Sequence, residues 1–436
     1  LKKFISSMTM VSSVQWVFFI FANTVVIPIS IANVFELSSE TMAMMIRASL
    51  ILTGITCILQ GWKGHRFPIM EGHSGLLWGI ILNLGLSAQA LNIGLERIGG
   101  GIVTGIVLAS LVTILLIACG GFSLLQAIFS PMVMTVYLFL LTFQLMFIFF
   151  EGMLKMTSAG VIDIGISLYS VVLALIVATL KMKGNQLISN FSILIGLLGG
   201  WLGYVLLFGN DGAGMTTSAP FQLFPLGAPN LEMGIVVVTF VAVLLNLSNT
   251  FASINAAEKL LQRRAAKKEF KGSMLITSIS TIIGSGFGLV PYTPFTSTIG
   301  FLQSTRIYER KPFFIGGALL TIIGIVPILG SFLSMLPVTV GNAVLFVAYM
   351  QLFGTAFSSL NGKTFNSNTI FRLAAPVLIG ISIMNISPAI FSELPVLIQP
   401  FLANGLIMGV IISIILEKAV NWLKYEDQPI KRGKAS

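Results

Sequence analysis

The chain has 436 residues, of which 56% are hydrophobic and only 9% charged, and a formal net charge of +10. Soluble domains carry about 25% charged residues, so this composition excludes a water-soluble globular protein. The two cysteines, Cys57 and Cys119, sit inside apolar runs, so neither reads as half of a disulfide or as a metal ligand.

Runs of about 20 apolar residues cross a bilayer, and fourteen such segments are expected. They lie near 13–34, 41–61, 67–86, 98–119, 124–148, 163–180, 189–208, 233–256, 272–288, 291–305, 313–331, 335–358, 370–388 and 399–421. Lys2-Lys3 leads into the first run with no small-residue cleavage pattern, so no cleavable leader is read there. The third and tenth segments differ from the rest. They open on Phe67-Pro-Ile-Met-Glu-Gly-His-Ser-Gly75 and Pro291-Tyr-Thr-Pro-Phe-Thr-Ser-Thr-Ile-Gly300, and each is read as an extended stretch followed by a short helix. Non-helical backbone at membrane depth must be buried in protein or line a wet cavity. A matched pair of such breaks is the sequence pointer to a transporter binding site.

The basic residues fix the orientation. With the N-terminus inside, 22 of the 25 Lys and Arg residues fall on one side, and only Arg47, Arg97 and Lys155 fall elsewhere. Such asymmetry is the positive-inside rule, and it accounts for the net charge without invoking nucleic acid. An odd number of spans would spoil it, so both termini are placed in the cytoplasm. The basic stretch 257–271 is read as a short amphipathic helix on the membrane surface or a solvated loop. Seven spans precede the loop 209–232, which contains Asp211 and Glu232, and seven follow it. An odd number per half turns the second half over, which gives a seven-plus-seven inverted repeat. The third segment then corresponds to the tenth, and these are the two broken ones.

Several of these stretches match a family. Gln15-Trp-Val-Phe-Phe-Ile-Phe-Ala-Asn-Thr-Val-Val-Ile-Pro28 resembles the first helix of the nucleobase–ascorbate transporter (nucleobase:cation symporter-2) family. Phe67-Pro-Ile-Met-Glu-Gly-His-Ser74 resembles that family's third segment, and Gly300-Phe-Leu-Gln-Ser-Thr305-Arg306 the second half of its signature. The resemblance spans about residues 10–425. It implies an all-α integral membrane protein, with two short antiparallel strands in segments three and ten. It divides the chain into a core domain (10–119 and 233–331) and a gate domain (120–208 and 332–421). It also implies a purine- or uracil-type substrate held beside the strands, proton symport, and dimerisation through the gate. The chain departs from the family at several positions. Asn246 stands where a Glu is usual and Thr250 where uracil-type members have His. Ser297 and Thr298 replace the signature's acidic or amide residue and its Asn, and Trp16 replaces a His. Glu71 is gained where Gln is common.

Glu71 is the one acid placed inside a span away from its ends, and it is read as a direct substrate acceptor or a proton-coupling carboxylate. The alternative is a structural Glu that satisfies the broken backbone. His73 is the type of group that shuttles protons. In an extended stretch it shares a side with Glu71, so the two form a candidate proton-coupling pair. A neutral imidazole on a carbonyl is the alternative. Asn246 and Thr250 share a helical face, and an amide offers the donor and acceptor that a nucleobase edge needs; interhelical bonding is the alternative. Thr296, Ser297 and Thr298 precede a short helix whose N-terminus suits a substrate acceptor, or they cap it. Asn23 and Gly75 complete the substrate-binding set by resemblance. Gly101/Gly105 and Gly196/Gly200 have helix-packing spacing.

The reading is a non-enzymatic secondary transporter of the cell (inner) membrane. It imports a nucleobase, a purine first, with protons and without a cofactor or metal. Three alternatives stay open: an anion carrier of the sulfate permease type, a membrane enzyme, and a sensor that binds without transporting. About a dozen residues follow the last span by the thickness ruler, too few for the cytoplasmic domain typical of the sulfate permeases.

Overall fold

The computed structural model describes residues 7–120, 130–157, 160–209, 220–333, 335–358, 360, 366–391, 393–394, 398 and 402–422. Lys2, Lys3, Asp211, Lys363, Lys424, Lys431, Arg432, Lys434 and the starts of the fifth and fourteenth expected segments lie outside the described residues.

The first half runs α1 (Ser7–Ala22), α2 (Val26–Val34), α3 (Ser39–Trp62), β1 (Glu71–His73), α4 (Gly75–Leu86), α5 (Ala88–Leu91), α6 (Leu95–Ala118), α7 (Pro131–Met153), α8 (Ile164–Lys183) and α9 (Gln186–Phe208). The second runs α10 (Met233–Leu261), α11 (Lys267–Gly286), β2 (Tyr292–Pro294), α12 (Thr298–Thr305), α13 (Arg310–Ile325), α14 (Pro327–Leu333), α15 (Val338–Ser358), α16 (Ser367–Met384) and α17 (Gly405–Ala419). Polar side chains start many of these helices. Ser38, Ser74, Ser130, Asp163, Asn185, Asn366 and Asn404 each accept a backbone N–H of the first turn.

Eight helices among the described residues are long and apolar enough to cross a bilayer, so the chain is a multi-pass membrane protein. Other expected segments are not single helices. Pro28 has no N–H for Thr24 and crowds its carbonyl, so the first span breaks at 23–25 between α1 and α2. Pro327 likewise separates α14 from α13. The expected surface helix at 257–271 does not form. α10 runs on through Leu261 and α11 begins at Lys267, which leaves a short connection bonded by Glu258 and Glu269.

Two sets of helices pack internally. α3 packs on α13, α13 on α1, and α6 on α10 and α11. Separately, α7 packs on α15 and α17, and α8 on α9 and α15. Glycines allow the closest approaches. A Cβ on Gly54 of α3 would overlap Thr321 Oγ1 and the Gly317 carbonyl of α13. The Gly101/Gly105 pair admits α10, where a Cβ on Gly105 would lie 2.7 Å from the Val236 carbonyl.

Inside the first set lies a ribbon of two strands. β1 pairs antiparallel with β2, with Glu71 opposite Pro294, Gly72 opposite Thr293 and His73 opposite Tyr292. Pro68, Pro291 and Pro294 disfavour helix here. A two-stranded ribbon leaves both outer edges unbonded, which is costly away from water. Side chains from three helices satisfy these edges. Cys57 of α3 accepts from Glu71 N and donates to its carbonyl, both at 3.3 Å. Thr281 of α11 accepts from Tyr292 N at 3.0 Å. Asn246 and Ser253 of α10 donate to the Tyr292 and Pro294 carbonyls at 3.0 and 2.8 Å.

Candidate functional site

Paired residues of a ribbon point to the same face and successive ones alternate. Glu71, His73 and Tyr292 therefore share one face, and Gly72 and Thr293 the other. The first face is turned to α3 and α11. Thr277 Oγ1 donates to Glu71 Oε1 at 2.5 Å, and Gln60 Nε2 donates to Thr277 Oγ1 at 3.0 Å. Glu71 is fully buried, and its Oε2 has no bonded partner among the described residues. The His73 ring lies between the Val290 carbonyl, 3.0 Å from Nδ1, and Ser49 Oγ, 2.6 Å from Nε2. A neutral imidazole with its proton on Nδ1 satisfies both contacts. Glu71 and His73 thus share a side, but each bonds separate partners, so the expected proton-sharing pair is not made.

The opposite face leads to a different group. Ser74 Oγ donates to Asn246 Oδ1 at 2.6 Å, and Asn249 Nδ2 donates to the same oxygen at 3.1 Å. Asn249 also donates to the Tyr137 hydroxyl of α7 at 3.2 Å. Ser74, Asn246, Asn249 and Tyr137 therefore form one polar chain from the ribbon to the second helix set. Beside it, a Cβ on Gly75 would sit 3.3 Å from Leu145 of α7 and 3.5 Å from Tyr349 of α15. One turn on, a Cβ on Gly79 would sit 3.1 Å from Gln144 of α7. Trp78, Phe149 and Tyr349 make an aromatic cluster with ring centroids 5.0–6.4 Å apart. Trp78 Nε1, Gln144 Oε1 and Thr293 Oγ1 are buried without a bonded partner among the described residues, each an unmet demand that a ligand or water can fill.

The remaining expected residues divide between these regions. Thr250 is buried on α10 one turn beyond Asn246. Thr298 Oγ1 accepts from Met70 N at 3.3 Å, and the Thr296 hydroxyl lies 2.9 Å from that of Ser253. Thr296 and Thr298 therefore brace the ribbon, while Ser297 is exposed and makes no side-chain cap to α12. Asn23 Nδ2 donates back to the Phe19 carbonyl at 2.8 Å, which ties it to the break in its own span. Ser74, Thr293, Tyr137 and Gln144 join this region only in the fold, beside Asn249 of the eighth span. Their signal is weak, since each is a common polar residue in an apolar run. The bracing face of α11 was more legible: Ser273, Thr277 and Thr281 recur every four residues.

A cavity of about 440 Å³ opens at another junction of the two sets, lined by Asn33 of α2, Met42 of α3, Gly152 of α7, Lys155, Tyr204 of α9 and Thr339 of α15.

The model of the Permease family matches residues 7–389. The chain belongs to this family. It is the family of the nucleobase–ascorbate transporter resemblance drawn from the motifs. The permease is 28% identical over 428 residues to YwdJ of Bacillus subtilis (strain 168), a candidate purine permease, covering 94% of this chain and 95% of that one. It is 24% identical to the uric acid permease PucJ of the same organism, covering 93% and 90%. Among solved structures it resembles the transmembrane domain of the cyanobacterial bicarbonate transporter BicA. That match has a TM-score of 0.60 at 11% identity and covers 92% of this chain and 98% of that one. This likeness is one of fold alone.

His65 of the permease lies outside the spans, in the turn after α3. Burial, and then the nearby Arg263 charge, push its pKa down to about 3, so it stays neutral in the folded state at pH 7. Below pH 6.5 the unfolded chain gains a proton that the folded chain does not. The His65 contribution is therefore complete above pH 6.5 and is lost as pH falls toward 3, at about 1.4 kcal/mol per pH unit. The melting temperature of His65→Asn is expected to fall less between pH 7 and 4.5 than that of the native protein. Parallel pH profiles would contradict this.

Proposed function

We propose that this permease is a secondary active transporter that imports a nucleobase, a purine first, across the cell (inner) membrane together with protons. The observation that carries the reading is the polar chain Ser74–Asn246–Asn249–Tyr137, which joins the broken ribbon to a helix of the other set. An amide flanked by hydroxyls offers donors and acceptors to the edge of a heterocycle. The Trp78, Phe149 and Tyr349 rings beside it suit a planar ligand. Relatives named as purine and uric acid permeases support the substrate class.

The ribbon with α1–α6 and α10–α14 acts as the core domain, and α7–α9 with α15–α17 as the gate. Fourteen segments in an inverted repeat put both termini in the cytoplasm. The 440 Å³ cavity beside Lys155 then lies on the outer side. Motion of the core against the gate carries the ligand across. Asn246, Gly75, Thr250, Thr293 and Gln144 face or approach the ligand, Thr296 and Thr298 support the ribbon, Asn23 supports the first span, and Ser297, exposed beside them, is left to the ligand. Glu71 is the coupling group. It is an intramembrane acid with one carboxyl oxygen free of partners, and it touches the ribbon face opposite the ligand. His73 positions that ribbon. Exposed apolar side chains such as Leu168, Leu175 and Leu378 cover the gate with a surface for lipid or for a second copy in a homodimer.

The test is uptake into proteoliposomes under an imposed pH gradient, with radiolabelled uric acid, xanthine, uracil and bicarbonate. A purine is expected to accumulate, and Glu71→Gln is expected to lose at least about tenfold of gradient-driven accumulation while retaining exchange of substrate for substrate. Bicarbonate uptake alone would replace the nucleobase assignment. Undiminished accumulation in Glu71→Gln would remove Glu71 from coupling.

A further inference from the structure

A second cavity, of about 580 Å³, lies away from the polar chain. It is lined by Trp62 at the end of α3, Arg66, Phe67 and Pro68 before β1, Leu261 and Arg263 at the end of α10, and Tyr308 and Arg310 at the start of α13. Three guanidinium groups from three separate connections converge there. Two of the three are held by backbone carbonyls. Arg263 Nη1 donates to the Arg66 carbonyl and Arg310 Nη1 to the Gly61 carbonyl, each at 3.2 Å. Arg263 also lies over the Phe67 ring, 4.5 Å from its centroid.

The charge around this cavity is unbalanced. Glu269 bonds Arg263 and lies 3.9 Å from Arg66, which offsets one cation of three. Glu258 is turned to Ala265 N, and Glu309 precedes Arg310 without lining the cavity. Lys63 adds a further cation over the Trp62 ring, 4.5 Å from its centroid. His65 contributes no charge at pH 7, as argued above. Like charges held together repel unless an anion joins them. Arginine forks suit the several oxygens of a phosphate, and the rings of Trp62, Phe67 and Tyr308 offer apolar walls for what the phosphate is attached to.

We propose that this cavity is a binding site for a phosphate-bearing anion, distinct from the transport site. Its occupant ties together the end of α3, the entry to the ribbon, the end of α10 and the start of α13. Two sources carry the required chemistry: the headgroup of an anionic phospholipid, and a soluble nucleotide. Basic pockets at the headgroup level of transmembrane helices favour the first.

The experiment is titration of the purified full chain in uncharged detergent, read by melting temperature and by calorimetry. The probes are short-chain phosphatidylglycerol, phosphatidylcholine of the same chain length, AMP and adenosine. Phosphatidylglycerol binding without phosphatidylcholine binding identifies a lipid site. AMP binding without adenosine binding identifies a nucleotide site. In either case the double variant Arg66→Gln/Arg310→Gln should raise Kd by at least about tenfold, and Lys259→Gln, a change of a basic residue outside the cavity, should leave it within twofold. Arg310→Lys, measured alone, guards against misfolding of the double variant; it keeps the charge, removes the fork, and should weaken binding measurably. Absence of binding by both anionic probes, phosphatidylglycerol and AMP, or unchanged affinity in the arginine variants, overturns the proposal. None of these readouts depends on the identity of the transported substrate.

Discussion

Asn246→Ala is expected to lower substrate uptake by at least about thirtyfold and to reduce equilibrium binding to a similar extent. The side chain joins three partners at once: it accepts from Ser74 and Asn249 and donates to the Tyr292 carbonyl. Its removal leaves a hydroxyl, an amide and a strand-edge carbonyl short of a partner in a buried site. Each such loss costs about 1–3 kcal/mol in proteins, and about 0.6–2 kcal/mol per bond between membrane helices. At the middle of either range, two or three such losses exceed the 2 kcal/mol or so that thirtyfold requires. Asn249→Ala removes the link to Tyr137 but spares the ribbon, so a smaller loss is expected. Uptake by Asn246→Ala within twofold of native would refute the placement of the site.

Gly54→Val should abolish recovery of folded protein. A Cβ at this position overlaps both a backbone carbonyl and a side-chain oxygen of α13. Backbone cannot move aside without parting α3 from α13, the packing on which one side of the ribbon rests. Ordinary overpacking costs about 1–3 kcal/mol, and a clash with backbone falls in the range above about 4 kcal/mol that marks severe mutants. Size-exclusion yield and melting temperature measure the effect. Gly199→Ala in α9 is the control, because a Cβ there meets nothing within 4 Å. It should be neutral or gain up to about 1 kcal/mol from helix propensity. A well-folded Gly54→Val protein would show that the α3–α13 crossing is looser than described.

The broken segments were legible because proline acts locally. Pro68, Pro291 and Pro294 rule out continuous helix through covalent geometry alone, and no tertiary contact is needed to see it. Asn246 was legible as a polar residue on an apolar helix, and its bonds to Ser74 and Tyr292 attach that helix to the ribbon. The prolines at 28 and 327 carried the same kind of signal for breaks in the first and eleventh segments, and it went unused. The basic stretch 257–271 was open to two readings, a surface helix or a solvated loop, because its charge pattern fits either; the fold gives it to the ends of two long helices and a short connection between them.

The roles of Glu71 and His73 illustrate the limit of a one-dimensional reading. Alternation places the two on one face of a strand, but nothing in the local sequence says what that face meets. In the fold it meets the hydroxyls of α3 and α11, while Gly72, Ser74 and Thr293 are turned the other way. Cys57, which the sequence places only inside an apolar run, bonds the strand edge because α3 passes beside it.

By itself, the sequence determined the solvent, the family and the two points where helix gives way to extended backbone. Each follows from composition, motif or the stereochemistry of single residues. Only the tertiary structure decided which side of the ribbon carries the polar chain, which residues close its edges, and that three distant arginines share one cavity. These depend on contacts between residues separated by as many as 249 positions, as between Gly61 and Arg310. The spatial arrangement of such pairs is set by helix packing rather than by neighbours along the chain.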